Sequence, residues 1–391
     1  MTAVGLLGIL LALLAFPLAA VHRTPARVTL FTAAFVAHIV TTVVYYFYSQ
    51  TTSADTVLYY YDPYEMFELP MRPGTAFLVH MVQTMKAWIG GTYLDYFMIF
   101  QAIGFWGIVF LMRTVEEIHV ELQVPQGRLA YIMLFLPGIY FWTSAIGKDA
   151  PLFFGCAAAV WASMRLRSRF LLFAFAILVM MLFRPHIALA ALVALAATAF
   201  LDRRSRGYVK VLLFIVAIGG AGAVAGTVET ALNVNVASVE SVGEFFSRQA
   251  EVTQQVGGTT QVQGSFPVRL FSLLARPFFF DAQGLFGLIA SFENILILTM
   301  LGTIARRFGD SVKLFRGVFF LRFGLIFTIV VTLLLAMVYY NVGLGLRQKM
   351  MFMPGLIAFY TGLLAYGRAG QRSAQLQAYA DERLAADPIG A

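Results

Sequence analysis

The densest group of polar side chains in this apolar chain is Ser53-Ala54-Asp55-Thr56-Val57-Leu58-Tyr59-Tyr60-Tyr61-Asp62-Pro63-Tyr64-Glu65, directly after the apolar run from Val28 to Tyr48. An aspartate so placed can take the proton of an attacking hydroxyl. Asp55 is the first candidate, with Asp62 and Glu65 as alternates. If the stretch is helical, Asp55, Tyr59 and Asp62 share one side. Asp55 or Ser53 could instead cap a helix starting at Thr56. Tyr59 and Tyr60 could stack on a sugar ring, although tyrosines are common at membrane interfaces in any case.

Charged residues recur at five later places. Lys148-Asp149 lies between two apolar runs, where an ionisable group is costly and tends to be paired or functional. The alternative is a self-neutralising pair that caps the helix beginning at Ala150-Pro151. Arg184-Pro185-His186 repeats the arrangement without an acid, which favours Arg184 as a phosphate ligand; a histidine such as His186 is more often a structural hydrogen-bonder than a base. Arg269 and Arg276 are seven apart, so a helix would place them on one face. With Arg347 and Lys349, preceded by Asn341, they form a second basic set, for which headgroup snorkelling is the plain explanation and an anionic ligand the sharper one. Glu293 stands within an apolar run and is expected to face a cavity or pair with an arginine.

The elements that must position these residues are membrane helices. The chain has 391 residues, 60% hydrophobic and only 12% charged. A soluble domain carries about 25% charged residues, and the apolar runs approach the roughly 20 residues needed to cross hydrocarbon. About eleven candidate spans follow: Ala3 to Val21, Val28 to Tyr48, Tyr93 to Met112, Leu129 to Ile146, Ala150 to Met164, Leu171 to Phe183, Ile187 to Phe200, Val209 to Thr227, Gly284 to Thr303, Val318 to Tyr339 and Met350 to Tyr366. None alternates as barrel strands do. The first run lacks a basic leader and a small-residue cleavage site, so it is kept as a span.

Alternating these spans puts His22 to Arg27, Arg113 to Arg128, Arg165 to Arg169, Asp202 to Lys210, Ala305 to Gly317 and the tail from Arg368 on one side. All of them carry lysine or arginine, which makes that side the cytoplasm, with the N-terminus outside and the C-terminus inside. The net charge of +8 is accounted for in this way and does not call for nucleic acid. Every candidate site residue except Glu293, which stands within a run, falls on the opposite side. Gly74 to Gly91 is too polar to span and is expected to lie in the interface as an amphipathic helix, or else to extend the next span. The loop from Val228 to Gln283, about 55 residues, is far longer than an ordinary connection. Its middle, Thr253 to Gly264, is rich in Gln, Gly and Thr, and Phe266 to Phe280 is expected to re-enter the membrane surface. Residues 1–370 read as one multi-helix domain, followed by a short cytoplasmic helix in 371–391.

Cys156 is the single cysteine, so disulfides within the chain are excluded and a cysteine-based metal site is not expected. No Gly-rich phosphate loop, His/Cys metal set or Gly-x-Ser-x-Gly elbow is present, so no cofactor is implied. A divalent metal is compatible with the acids but not called for. An acid to orient a hydroxyl, cations to hold a leaving phosphate and an apolar body for a lipid tail together suit transfer of a sugar from a lipid-linked donor.

An outer-loop Asp just after an early span, followed by an amphipathic helix, resembles the membrane-embedded glycosyltransferases of the C type (GT-C). Ser144-Ala145-Ile146-Gly147-Lys148-Asp149, Arg184-Pro185-His186, Ala275-Arg276-Pro277-Phe278 with Glu293 downstream, and Asn341 to Lys349 resemble elements of bacterial exopolysaccharide and O-antigen polymerases of the Wzy or EpsG kind. The extra N-terminal span and the lack of a sizeable C-terminal soluble domain depart from the usual GT-C layout. The resemblance implies a bacterial inner-membrane enzyme that moves glycan units from an undecaprenyl-phosphate or -diphosphate carrier to a glycan acceptor on the periplasmic face, with inversion at the transferred sugar. It also implies partners in a polysaccharide assembly or export system. By that likeness Asp55 is the catalytic or acceptor-binding acid, and Arg184, Arg269, Arg276 and Arg347 hold phosphates or glycan. The competing classes are an exporter or flippase of lipid-linked glycans, whose charges should lie deep and in two pseudo-symmetric halves, and an O-acyltransferase, for which no deep His with a nearby Asn or Asp is evident.

Overall fold

The computed structural model describes residues 1–19, 24–52, 54–122, 124, 132–202, 264–337, 339 and 341–386, with Val262 and scattered positions between 207 and 222; the last stretch, 371–386, is described as backbone only. The described residues are helical and include no strand. In chain order the helices are α1 (Ala3–Leu13), α2 (Phe16–Ala19), α3 (Pro25–Thr51), α4 (Asp55–Tyr61), α5 (Thr75–Ile89), α6 (Tyr93–Glu121), α7 (Pro137–Trp142), α8 (Asp149–Met164), α9 (Phe170–Phe183), α10 (Pro185–Leu201), α11 (Phe266–Ala275), α12 (Gly284–Arg306), α13 (Phe308–Gly317), α14 (Phe319–Met337), α15 (Val342–Gln348) and, after a 3-10 turn, α16 (Met353–Ala386). Four of them, α3, α6, α12 and α14, are long and apolar enough to cross a membrane, or five spans if α15 and α16, bent by 58° at their junction, count as one. The remaining apolar helices are shorter. Much of the expected span Val209 to Thr227 and most of the long loop, including nearly all of Thr253 to Gly264, lie outside the described residues.

Helix α6 is the axis of the bundle: 83% of its apolar window is buried, against 28% for α3 and 33% for α12. Its start is set by a capping box, in which Asp95 accepts from the backbone and hydroxyl of Thr92 while the Thr92 side chain accepts from the N3 backbone. The same carboxylate accepts from the backbone N and Oγ1 of Thr2, both at 2.8 Å, and so fastens the N-terminus to the head of α6. Helix α1 packs closely on α6 because Gly8 has no side chain; a Cβ there would stand 2.6 Å from the Met98 carbonyl carbon. Within the bundle His38 Nε2 meets Thr143 Oγ1 at 3.1 Å and its Nδ1 meets Gln101 Nε2 at 3.3 Å, so the buried imidazole of α3 is satisfied by α6 and the end of α7.

The two ends of the bundle differ in chemistry. At one end Arg27 pairs with Glu116, and Arg169 reaches Glu117 at 2.8 Å while stacking over Trp161. Arg322, 2% exposed, donates to the carbonyls of Thr198, Phe315 and Arg316. At the other end lie the N-terminus, α4, α5 and the starts of α6, α8, α10 and α12. The C-terminal helix departs from that expected by sequence: α16 runs unbroken for 34 residues, about 50 Å at 1.5 Å per residue. The segment after residue 370 is thus the continuation of the last apolar helix rather than a separate one, since no proline stands between Pro354 in its first turn and Pro388.

Candidate functional site

The polar stretch that begins the site folds as a short helix. Helix α4 starts at Asp55 with Ala54 as its cap residue, and no side chain caps it, which leaves the Asp55 carboxylate available. Asp62 ends the helix in a left-handed conformation, φ 49°. Its carboxylate accepts from the backbone N of Met66 at 2.8 Å and of Phe67 at 2.9 Å. The amphipathic α5, as expected from its pattern, lies alongside. Its Gln83 donates to the carbonyls of Tyr59 and Tyr60, and its Lys86 to that of Tyr60 at 2.6 Å. The orphan carbonyls at the end of α4 are thereby satisfied. Thr56 Oγ1 meets Tyr93 Oη at 2.6 Å, and Tyr93 donates to Ser49 Oγ, so α4 is tied to both α3 and α6.

Four charges, contributed by four separate elements, form a chain here. Arg347, on α15, donates Nη1 to Asp55 Oδ2 at 2.6 Å and Nε to Asp149 Oδ2. The other oxygen of Asp149 faces Arg184 Nη2 at 3.8 Å. The series Asp55, Arg347, Asp149, Arg184 runs inward from the rim: the Asp55 side chain is 49% exposed, Asp149 4%. Tyr59 donates weakly to Asp55 Oδ2 at 3.4 Å, and burial pushes its phenol up to about 12 against the pull of Arg347, so it stays a hydroxyl at neutral pH. Lys148 does not neutralise its neighbour Asp149. Its Nζ donates instead to Thr75 Oγ1 at 2.8 Å, and burial, aided by Arg184 and Arg347, lowers it from 10.5 to about 8.

Asp55 and Arg347 line a cavity of about 470 Å³ together with Tyr45, Tyr48, Trp142, Asp281 and Phe286. A narrower cavity of about 210 Å³ shares Trp142, Phe286 and Leu346 with it and continues between α3 and α12, past Thr41, Val44 and Ile289, to Glu293. These two helices are the least buried of the long spans. A charged mouth thus adjoins an apolar groove on the outer face of the bundle, the two sharing the side chains of Trp142, Phe286 and Leu346 as walls. A larger cavity, about 930 Å³, lies at the opposite end by Lys313, Arg316 and Arg322, away from this chemistry.

Several residues expected at the site have other duties. Asp62 is a turn-former, as shown by its two backbone bonds, and Glu65 is exposed with φ 53° and joins no part of the charge chain. Tyr60 donates to the Gly91 carbonyl beneath the rim. His186 sits at the start of α10, behind Arg184. Asn341 caps α15, its Oδ1 accepting from the backbone N of Gly343 and Leu344, and so positions Arg347 indirectly. Arg269 and Arg276 do not share a helical face: α11 ends at Ala275, Arg269 donates to the Met337 carbonyl, and Arg276 pairs with Asp281 at 2.5 Å. Glu293 accepts from the Gly138 backbone N at 2.6 Å, while Lys349 donates to Asn294 Oδ1 and to the Arg276 carbonyl. This makes a second buried polar group below the first.

Thr75, Asp281 and Asn294 were not singled out by sequence. Asp281 carried the only usable signal, an acid five residues beyond Arg276. No three His, Cys, Asp or Glu side chains gather as a metal-ligand set among the described residues. No family model, curated protein or solved structure matches the chain.

Proposed function

We propose that the chain is a membrane-embedded glycosyltransferase of the polysaccharide-polymerase type. It takes glycan units from a polyprenyl-phosphate or -diphosphate carrier at the periplasmic face of a bacterial inner membrane. About eleven membrane-spanning helices in a GT-C-like arrangement carry the site, with the N-terminus on its side and the C-terminus in the cytoplasm. The observation that carries this reading is the Asp55–Arg347 pair at the mouth of an apolar groove between α3 and α12. A carboxylate and a guanidinium at the head of such a groove suit a substrate with an anionic head and a long apolar tail.

The chemistry follows from which atoms are free to move. Asp149 is buried and holds Arg347 by Nε; Asp55 is half-exposed and holds it by Nη1. A carrier phosphate therefore displaces Asp55 from Nη1 more readily than Asp149 from Nε. The released Asp55 then accepts the proton of an acceptor hydroxyl as its oxygen attacks the anomeric carbon from the face opposite the leaving group. The bond from that carbon to the phosphate oxygen breaks, the electron pair leaves with the carrier phosphate, and Arg347 meets the growing negative charge. The anomeric centre inverts. Arg347 forms a fork that lysine does not reproduce.

Asp55→Asn tests this reading in cells and in vitro. The expected result is loss of polymer while the lipid-linked intermediate accumulates on the outer face. Intermediate trapped on the cytoplasmic face would instead identify an exporter and end the proposal.

A further inference from the structure

Arg184 is the least satisfied charge at the site. Its side chain is only 13% exposed, yet it makes no hydrogen bond to any described residue, and its one close counter-charge is Asp149 Oδ1 at 3.8 Å. A guanidinium carries five donors; those of Arg184 find no protein acceptor, yet none of its nitrogens is both buried and unsatisfied, so they meet solvent and are open to a ligand. The facing Asp149 oxygen is itself buried without a hydrogen bond. Next to it, Lys148 spends one of its three donors on Thr75. Arg184, Arg347 and Lys148 outnumber Asp55 and Asp149, so the cluster holds a surplus positive charge, and the surplus sits at the Arg184 end because Arg347 already bridges both acids. The position of that surplus matters. Asp55 and Arg347 line the cavity that adjoins the apolar groove, whereas Arg184 and Lys148 do not line it. They lie across Asp149 from it, beside the start of α5.

We infer that Arg184 and Lys148 form a second oxyanion site, separate from the carrier phosphate at Arg347, and that it takes the carboxylate of an acidic sugar in the glycan. This rests on the transferase reading for the identity of the glycan, but not for the existence of the site. A planar carboxylate matches the guanidinium fork and leaves one oxygen for Lys148. Its arrival replaces the missing hydrogen bonds of Arg184 and neutralises the surplus charge. Neutral glycans bring neither benefit, so the site selects for uronate-type units.

The test uses the full chain in lipid nanodiscs, with binding read by thermal shift and tryptophan fluorescence. The probes are glucuronate, glucose and undecaprenyl diphosphate. Glucuronate stabilises the wild type saturably and glucose does not. Arg184→Gln and Lys148→Met each weaken glucuronate by at least about tenfold, the scale of a lost charge-assisted contact. They change undecaprenyl diphosphate affinity far less than Arg347→Met does. Arg184→Lys, which keeps the charge and protects folding, weakens glucuronate by less than Arg184→Gln. The inference is overturned if glucuronate binds no better than glucose. It is equally overturned if Arg184→Gln weakens undecaprenyl diphosphate as much as Arg347→Met, because the site then belongs to the carrier. Glucuronate binding without any undecaprenyl diphosphate binding would remove the transferase reading and leave the oxyanion site standing.

Discussion

Asp55 and Asp149 hold the same arginine, yet replacing each by asparagine has opposite consequences for stability and catalysis. Asp149 is 4% exposed and compensates both Arg347 and Arg184. Asp149→Asn leaves two guanidiniums in the bundle with no buried counter-charge, and breaking a buried pair from one side costs about 3–5 kcal/mol. Asp55 is 49% exposed. A pair so open to solvent contributes about 0–1 kcal/mol, and the carboxamide introduced by Asp55→Asn can still accept from Arg347. Asp55→Asn therefore leaves the melting temperature within about a degree or two of wild type, while removal of the proposed base should lower turnover by roughly 10²–10⁴. Values for polar contacts between membrane helices are often smaller than in soluble proteins, so the ordering of the two variants is what counts. Melting of the purified protein in nanodiscs, together with transfer from a synthetic lipid-linked donor, measures both quantities on one sample. Equal losses of stability in the two variants, or full turnover by Asp55→Asn, would refute the division of labour proposed for the two acids.

Three further outcomes are expected. Lys148 is lowered from 10.5 to about 8 by burial, so its buried charge destabilises the fold fully below pH 8 and this penalty is relieved as pH rises from 8 to 10.5; melting curves should show stability rising through that window in wild type and not in Lys148→Met. A Cβ at Gly104 would fall on the Thr143 carbonyl, so Gly104→Ala should separate α6 from the end of α7 and cost about 1–3 kcal/mol, read by chemical or thermal denaturation. Glu293→Gln keeps an acceptor for the Gly138 amide, whereas Lys349→Met leaves Asn294 and the Arg276 carbonyl without their donor. The lysine variant should therefore be the less stable by about 1–3 kcal/mol.

Much of the site was written in residue type and place. An acid after the second apolar run, a lysine–aspartate pair and an arginine between short helices were conspicuous because ionisable groups are expensive near hydrocarbon. The amphipathic pattern of Gly74 to Gly91 likewise gave α5, whose observed ends fall just inside that stretch. The errors came where a local rule met a local exception. The seven-residue spacing of Arg269 and Arg276 means one face only if the helix continues, and it stops at Ala275. Asp62 had the right spacing from Asp55, but α4 ends one residue before it and its carboxylate serves the following turn. Neither fact is encoded in side-chain periodicity.

Composition and hydropathy by themselves determined a helical membrane protein, because a chain with so few charges can satisfy its backbone in lipid only by hydrogen bonds within its own segments. The sequence also marked which ionisable residues stand close enough to hydrocarbon to need a partner. It could not determine their pairing. Asp55 and Arg347 stand 292 positions apart and Asp149 and Arg347 198 apart, and nothing local distinguishes the arginine that meets an acid from one that meets a carbonyl. Only the packing of α4, α8, α10 and α15 around one end of α6 decides that Arg347 bridges two acids while Arg184 keeps its donors open.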